Sequence, residues 1–101
     1  MPMTCTRALE ALTFTVTGEI DHHGAKGLLQ SVDEELEKNM CRAVTVDLSG
    51  VTFMDSSGIA VLLRIYRRSA EIGGRVTVRG TPAQAMKVLK AAGLPKLMKF
   101  E

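Results

Sequence analysis

Apolar and polar positions follow two different periods along this 101-residue chain, and each change of period marks a new element. Leu12, Phe14 and Val16 alternate with threonines, which predicts a half-buried strand over residues 12–18. Residues 4–8 predict a short edge strand, joined to it by a tight hairpin at 9–11. The next segment predicts a helix that is closed by Asn39 and has one apolar face, formed by Ala25, Leu28, Leu29, Val32 and Leu36. The later pattern predicts a strand at 43–48, a Ser49-Gly50 turn, an apolar segment at 51–54 and a helix at 57–72. It then predicts a strand at 75–79, a helix from 81 to 92 and a last strand or turn within 96–101.

The third predicted helix has the clearest start signal. Thr81 is expected at the N-cap, Pro82 at the first helical position, and Gln84 would complete a capping box. Gly93 is expected to end this helix. For the preceding helix, Gly73 and Gly74 provide the same kind of stop.

The order strand, strand, helix, strand, helix, strand, helix determines the expected fold class. Strands separated by helices imply parallel crossovers, and the opening hairpin adds an antiparallel edge strand. The threonine side of residues 12–18 has a solvated composition, so the helices should cover the other side. We therefore expect an α/β fold, with a mixed sheet of four to five strands and three to four helices packed mainly on one face.

Composition narrows the class of protein. One hundred and one residues, 46% of them hydrophobic, predict a single domain over 1–101 with its own core. A formal net charge of +2 is too small to indicate a nucleic acid or a membrane surface as the main partner. Residues 1–6 lack a signal-peptide pattern, and no apolar run approaches the ~20 residues of a membrane span. Cys5 and Cys41 show no metal-binding spacing, so we expect free thiols, no metal, no cofactor and a cytoplasmic location.

The segment Asp55-Ser56-Ser57-Gly58 is the first candidate site, because it joins an apolar strand to an apolar helix. One interpretation is structural: a serine or the aspartate caps the helix. The other is regulatory, since a helix N-terminus tolerates an anion and a phosphoserine there would add about −1.5 to −2 charge units. Position in the sequence leaves both interpretations open.

Asp21, His22 and His23 form the second candidate site, at the exit of the second strand. Four interpretations are open: a metal site, a catalytic histidine acting on Ser56, an aspartate N-cap with exposed loop imidazoles, and a protein-contact loop. The residues that follow parallel strands gather at one edge of a sheet. This segment and residues 55–58 can therefore form one surface.

Arg64, Arg67 and Arg68 form a third cluster, on the polar side of the second predicted helix. They are either a solvated helix face or a basic patch that faces a partner. No aromatic residues lie between them, which argues against a platform for single-stranded nucleic acid.

The chain resembles the STAS-domain anti-sigma-factor antagonists, and within that family the sporulation branch. The resemblance extends from about residue 12 to the C-terminus. It is carried by the segments Gly-Glu-Ile-Asp-His-His at 18–23, Asp-Leu-Ser-Gly-Val-Thr-Phe-Met-Asp-Ser-Ser-Gly at 47–58, Ile-Gly-Gly at 72–74, Ala-Gly-Leu at 92–94 and Lys-Phe-Glu at 99–101.

The resemblance implies a partner switch with no chemistry of its own. The unphosphorylated protein would bind an anti-sigma factor that is also a serine kinase, and so release a sigma factor. The kinase would phosphorylate Ser56, with Ser57 as the fallback, and a metal-dependent serine phosphatase would reverse this. The residues expected in or beside the partner contact are Asp21, His22, His23, Asp55, Ser56, Ser57 and Gly58. We expect a monomer when the protein is free.

Two other functions compete with this one. The same fold would serve as a STAS subunit of a stressosome-like or lipid-transport complex, because a fold alone does not determine function. A small serine hydrolase would require Ser56 and a nearby histidine to act together.

Overall fold

The computed structural model describes residues 3–101; Met1 and Pro2, part of the segment that lacks a signal-peptide pattern, lie outside the described residues. Five strands and three α-helices alternate along the chain, with one 3₁₀ turn near its end. The elements are β1 (Met3–Ala8), β2 (Ala11–Ile20), α1 (His22–Lys38), β3 (Ala43–Met54), α2 (Ser57–Ala70), β4 (Arg75–Arg79), α3 (Ala83–Ala91), the 3₁₀ turn (Leu94–Lys96) and β5 (Lys99–Phe100).

The five strands form one sheet in the order β1-β2-β3-β4-β5. β1 pairs antiparallel with β2, and the other neighbours pair in parallel. The expected mixed sheet with an antiparallel edge is confirmed. Within the tail, predicted as a last strand or turn, Lys99 and Phe100 form a short strand that pairs with β4.

The core lies between the sheet and the helices, and the strand alternation decides which side chains enter it. Leu12, Phe14 and Val16 of β2 are buried, whereas the threonines between them are only half-buried. α1 buries the face that its 3.6-residue period predicts: Ala25, Leu28, Val32 and Leu36. Buried side chains from all three helices join one cluster with those of the central strands, so the helices cover one face of the sheet.

β3 is longer than the sequence predicts, and the expected turn at Ser49-Gly50 is wrong. β3 continues through both residues and takes up a β-bulge, visible where Thr15 pairs with Asp47 but Thr17 pairs with Gly50. The Asp47 carboxylate accepts hydrogen bonds from the Ser49 main chain and hydroxyl, at 2.9 and 2.7 Å. These bonds satisfy the bulged residue within the sheet, so the chain does not need to turn there.

The expected start of α3 is also wrong in its details. The helix begins at Ala83, and Pro82 occupies the N-cap with extended backbone angles. The Thr81 hydroxyl is buried without a hydrogen-bond partner and therefore caps nothing. The Gln84 side chain bonds to the main chain of Met54, at the end of β3, and makes no capping box.

α2 ends near its predicted stop. Its last residue is Ala70, two residues before the predicted end, and Gly73 takes the left-handed conformation with φ of 69°. The Gly74 main-chain N–H then donates to the Ser69 carbonyl at 2.8 Å. This is the glycine-terminated stop that the sequence indicates.

The two cysteines are free thiols in the part of the chain that the structure describes, Cys5 half-buried and Cys41 buried. Burial, and then the nearby Glu35 carboxylate, raise the pKa of the Cys5 thiol to about 11. None of the helices within residues 3–101 is both long and apolar enough to cross a bilayer.

Candidate functional site

The starts of α1 and α2 meet at one edge of the sheet. β2 and β3 are parallel neighbours and end together, with Ile20 opposite Met54. The Asp55 main-chain N–H then donates to the Ile20 carbonyl at 3.0 Å. Asp21 and Asp55 are each the first residue after these strand ends. The register of two strands therefore brings together two segments that lie more than thirty residues apart in sequence.

The Asp55 side chain joins the two helix starts. Its Oδ1 accepts a hydrogen bond from the Ser57 main-chain N–H at 2.7 Å, and its Oδ2 accepts one from the His22 main-chain N–H at 3.1 Å. The bond from Ser57 is the largest cause that lowers the pKa of the Asp55 carboxyl below its ordinary value, and the bond from His22 adds to it. Both bonds favour the ionised form, so Asp55 is a fixed negative charge at this edge.

Asp21 caps α1 in a more local way. Its Oδ1 accepts a hydrogen bond from the Gly24 main-chain N–H at 2.9 Å, as the N-cap interpretation predicts. His22 and His23 form the first turn of α1, so the expectation of loop imidazoles is wrong. The reason is that helix α1 begins directly after the cap residue. Both histidines are exposed, and their ring centroids lie 5.9 Å apart in an edge-to-face arrangement.

The two serines at the start of α2 differ in their surroundings. Ser56 is exposed, occupies the N-cap with helical backbone angles, and makes no capping bond with its side chain. Ser57 is half-buried and is the first residue of α2. Asp55 therefore does the capping that the sequence left open between three residues. The Ser56 hydroxyl is free to face another molecule.

Close packing against Met54 explains why the segment Asp55-Ser56-Ser57-Gly58 ends in glycine. A Cβ atom there would lie 2.5 Å from both Cγ and Sδ of Met54, well inside van der Waals contact. Met54 is fully buried, so its side chain has little room to move away. Gly58 lets α2 begin directly on top of the last residue of β3.

Gln84 belongs to the site, and sequence reasoning missed it. Its Oε1 accepts a hydrogen bond from the Met54 main-chain N–H at 2.8 Å, and its Nε2 donates to the Met54 carbonyl at 2.7 Å. The amide thus pairs with Met54 as a neighbouring strand would. No local signal could have found this role, because the two residues are thirty positions apart.

The three arginines of α2 differ in their contacts. Arg64 and Arg68 both contact the Asp33 carboxylate of α1, the first through a short bond and the second at 3.5 Å. Arg67 is exposed. Two of the three arginines therefore connect α1 to α2, and neither a wholly solvated face nor a three-arginine patch describes them.

The arrangement can present a hydroxyl to another molecule. His22 contacts Asp55 through its main-chain N–H, and its ring packs against that of His23. Within residues 3–101 there is no group of three or more His, Cys, Asp or Glu side chains placed to hold a metal ion.

Comparisons with known proteins relate nearly the whole chain to one family. A family model described as "Mlab, STAS domain" matches residues 3–99. An anti-sigma F factor antagonist of Paenibacillus polymyxa is 31% identical over 87 residues, which are 86% of this chain and 74% of that protein. The structure of the anti-sigma factor antagonist SpoIIAA in its unphosphorylated form matches with a TM-score of 0.83 and 21% identity, over 98% of this chain and 87% of that one.

A second structure, the Bacillus cell fate determinant SpoIIAA in the phosphorylated form, matches with a TM-score of 0.75 and 21% identity, over 98% of this chain and 90% of that one. These two likenesses establish the fold, and the family model together with the Paenibacillus relative establishes the family. The resemblance seen in the sequence is confirmed, and the chain belongs to the STAS domain family.

Proposed function

We propose that this chain is an anti-sigma factor antagonist that works as a phosphorylation-controlled binding partner. Its unphosphorylated form binds an anti-sigma factor that is also a serine kinase, and a sigma factor is thereby released. Phosphorylation of Ser56 ends this binding, and a metal-dependent serine phosphatase restores it. The chain is a cytoplasmic regulator without catalytic activity, and it is a monomer when free.

The observation that carries the proposal is the state of the Ser56 hydroxyl. Ser56 is exposed and makes no capping bond, since the Asp55 carboxylate takes that role. If Ser56 served only as a helix cap, its hydroxyl would be expected to accept a hydrogen bond from a main-chain N–H of the first turn. Ser57 is half-buried and is the weaker candidate for phosphorylation. The known phosphorylated form of SpoIIAA supports the same kind of control here.

Charge explains how a phosphate would act as a switch. Asp55 is held in its ionised form one residue before Ser56. A phosphate would add about −1.5 to −2 charge units beside that carboxylate. A partner surface that fits Asp55 and a neutral hydroxyl would then face concentrated negative charge. The exposed N-terminus of α2 tolerates the anion, so binding changes while the fold stays intact.

The test is phosphorylation by the anti-sigma factor kinase of the same organism with ATP. Wild type and Ser57→Ala should incorporate one phosphate, and Ser56→Ala should incorporate none, as measured by intact-protein mass spectrometry. Ser56→Asp should bind the anti-sigma factor more weakly in calorimetry and melt at the wild-type temperature. Equal phosphate incorporation into Ser56→Ala and wild type would overturn the assignment to Ser56.

A subunit of a larger complex is the second candidate, because the matching family model carries the description "Mlab, STAS domain". A pull-down from cells separates the two candidates. Recovery of the anti-sigma factor kinase supports the antagonist, and recovery of transporter or stressosome components without that kinase supports the subunit.

A hydrolase would be labelled by a serine-reactive fluorophosphonate, and we expect no labelling.

A further inference from the structure

Phe53 is an exposed aromatic side chain at the same edge as Ser56. Among the described residues, four large hydrophobic side chains are exposed, and Phe53 has 44% of its surface accessible. The other three are Leu9, Ile72 and Leu97. Leu9 lies in the β1–β2 hairpin, at the start of β2, and Ile72 lies between the end of α2 and the start of β4. Leu97 lines the same cleft as Gly74 and Arg75, at the start of β4. Phe53 is therefore the exposed hydrophobic side chain at the ends of β2 and β3.

Two bulges in β3 decide that Phe53 faces outward. After the first bulge, at Ser49, Val51 is buried, so strict alternation would bury Phe53 as well. A second irregularity follows, because Gly18 pairs with Val51 while the next residue, Glu19, pairs with Phe53. It leaves Thr52 and Phe53 exposed and returns Met54 to the core. Bulges near functional sites often reorient a side chain in this way.

The main chain directly after Phe53 is held in place by hydrogen bonds. Met54 follows it directly, is fully buried, and has both main-chain groups bonded to Gln84. Two neighbours of Phe53 in the sheet are polar and exposed: Thr52 precedes it in β3, and Glu19 lies opposite it in β2. An exposed aromatic side chain beside polar residues matches the composition of protein interfaces, in which aromatic residues are enriched and the rim is polar.

We propose that Phe53 is the apolar anchor of the surface that docks onto the anti-sigma factor, which would receive the ring in an apolar pocket. This inference rests on the proposed function. The docking surface then extends from Ser56 back along β3 to Phe53, two residues before Asp55. Phosphorylation of Ser56 controls whether the surface binds, and Phe53 supplies the buried apolar area that gives the contact its strength.

The first experiment measures binding of the unphosphorylated chain to the anti-sigma factor of the same organism by calorimetry. Phe53→Ser should raise the Kd at least tenfold. Leu97→Ser is the matched control, because Leu97 is 45% exposed and lies at the other end of the sheet, and its Kd should stay within twofold of wild type. Phe53→Tyr keeps the ring and should also stay near wild type.

The outcomes separate this inference from the proposed function. A wild-type chain that binds no anti-sigma factor would overturn both. A wild-type chain that binds, with Phe53→Ser binding equally well, would overturn only the role of Phe53. An equal loss in Leu97→Ser and Phe53→Ser would also overturn it, because the effect would then not be specific to this edge.

A second measurement follows binding of the wild-type sequence and uses a variant only to assign the signal. The wild-type chain is labelled with 4-fluorophenylalanine, and the fluorine resonance of Phe53 is assigned from its disappearance in Phe53→Leu. A soluble gadolinium complex should broaden this resonance in the free protein and much less in the complex. Unchanged broadening after binding would show that the ring stays outside the interface, and would overturn the proposal.

Discussion

The starts of α1 and α2 are alike in sequence and different in structure. Each helix follows a parallel strand, and each is capped by the aspartate that directly follows that strand. Asp21 bonds only within its own helix start, to Gly24. Asp55 bonds both to Ser57 and across to His22. The Asp21 carboxylate therefore stabilises only its own helix start, whereas the Asp55 carboxylate stabilises the start of α2 and also binds the first residue of α1. This difference fits a segment that must hold one exposed serine in a fixed position.

The largest difference between the two starts should appear when their glycines are replaced. Gly58→Ala should destabilise the protein by about 1 to 3 kcal/mol, because the added methyl group overlaps the buried Met54 side chain. Gly24→Ala, in the first turn of α1, should change stability by less than about 1 kcal/mol, since the new Cβ would meet the Asp21 carboxylate at an ordinary 3.6 Å. Urea unfolding of both variants measures the difference, and equal losses would contradict it.

Replacing Gln84 in α3 should lower the stability of the protein by a smaller amount. Gln84→Ala removes both bonds to the Met54 main chain and should destabilise the protein by about 1 to 2 kcal/mol. Gln84→Glu keeps one acceptor but loses the donor, and it should rescue only part of this. Amide hydrogen exchange should then accelerate around residues 54–58 more than around residues 21–24. Equal acceleration at both helix starts would mean that Gln84 supports the fold generally.

The smallest expected change in stability comes from replacing the two capping aspartates, Asp21 and Asp55, with asparagine. Asn is as good an N-cap as Asp, so Asp21→Asn should have almost wild-type stability. Asp55→Asn should be less stable at pH 6, because the amide has one acceptor oxygen for two N–H donors.

The effect of Asp55→Asn should also depend on pH. The pKa of the Asp55 carboxyl is lowered in the folded protein, so the ionised group stabilises the fold above its ordinary value of 3.8. This stabilisation is lost as the pH falls through the lower folded pKa. The stability difference between wild type and Asp55→Asn, from urea unfolding at pH 6 and at pH 3, should therefore shrink at the lower pH. A difference that grows toward low pH would contradict the bonding described for Asp55.

The sequence by itself determined the order of strands and helices, the buried faces of β2 and α1, and the position of Asp55-Ser56-Ser57-Gly58 at a helix start. It could do so because hydrophobic period and turn residues act over a few neighbouring positions. The cap at Asp21 was also predictable, since its bond reaches only three residues along the chain.

Only the tertiary structure decided that Asp55 also binds His22, what Gln84 binds and which way Phe53 faces. The bonds of Asp55 to His22 and of Gln84 to Met54 join residues 33 and 30 positions apart, so they depend on how the elements pack. The outward direction of Phe53 depends on two bulges in the register between β2 and β3, and a one-residue shift in register reverses the face of every following side chain. The Ser56 side chain makes no capping bond, because Asp55, one residue before it, takes that bond and is itself held by the distant His22.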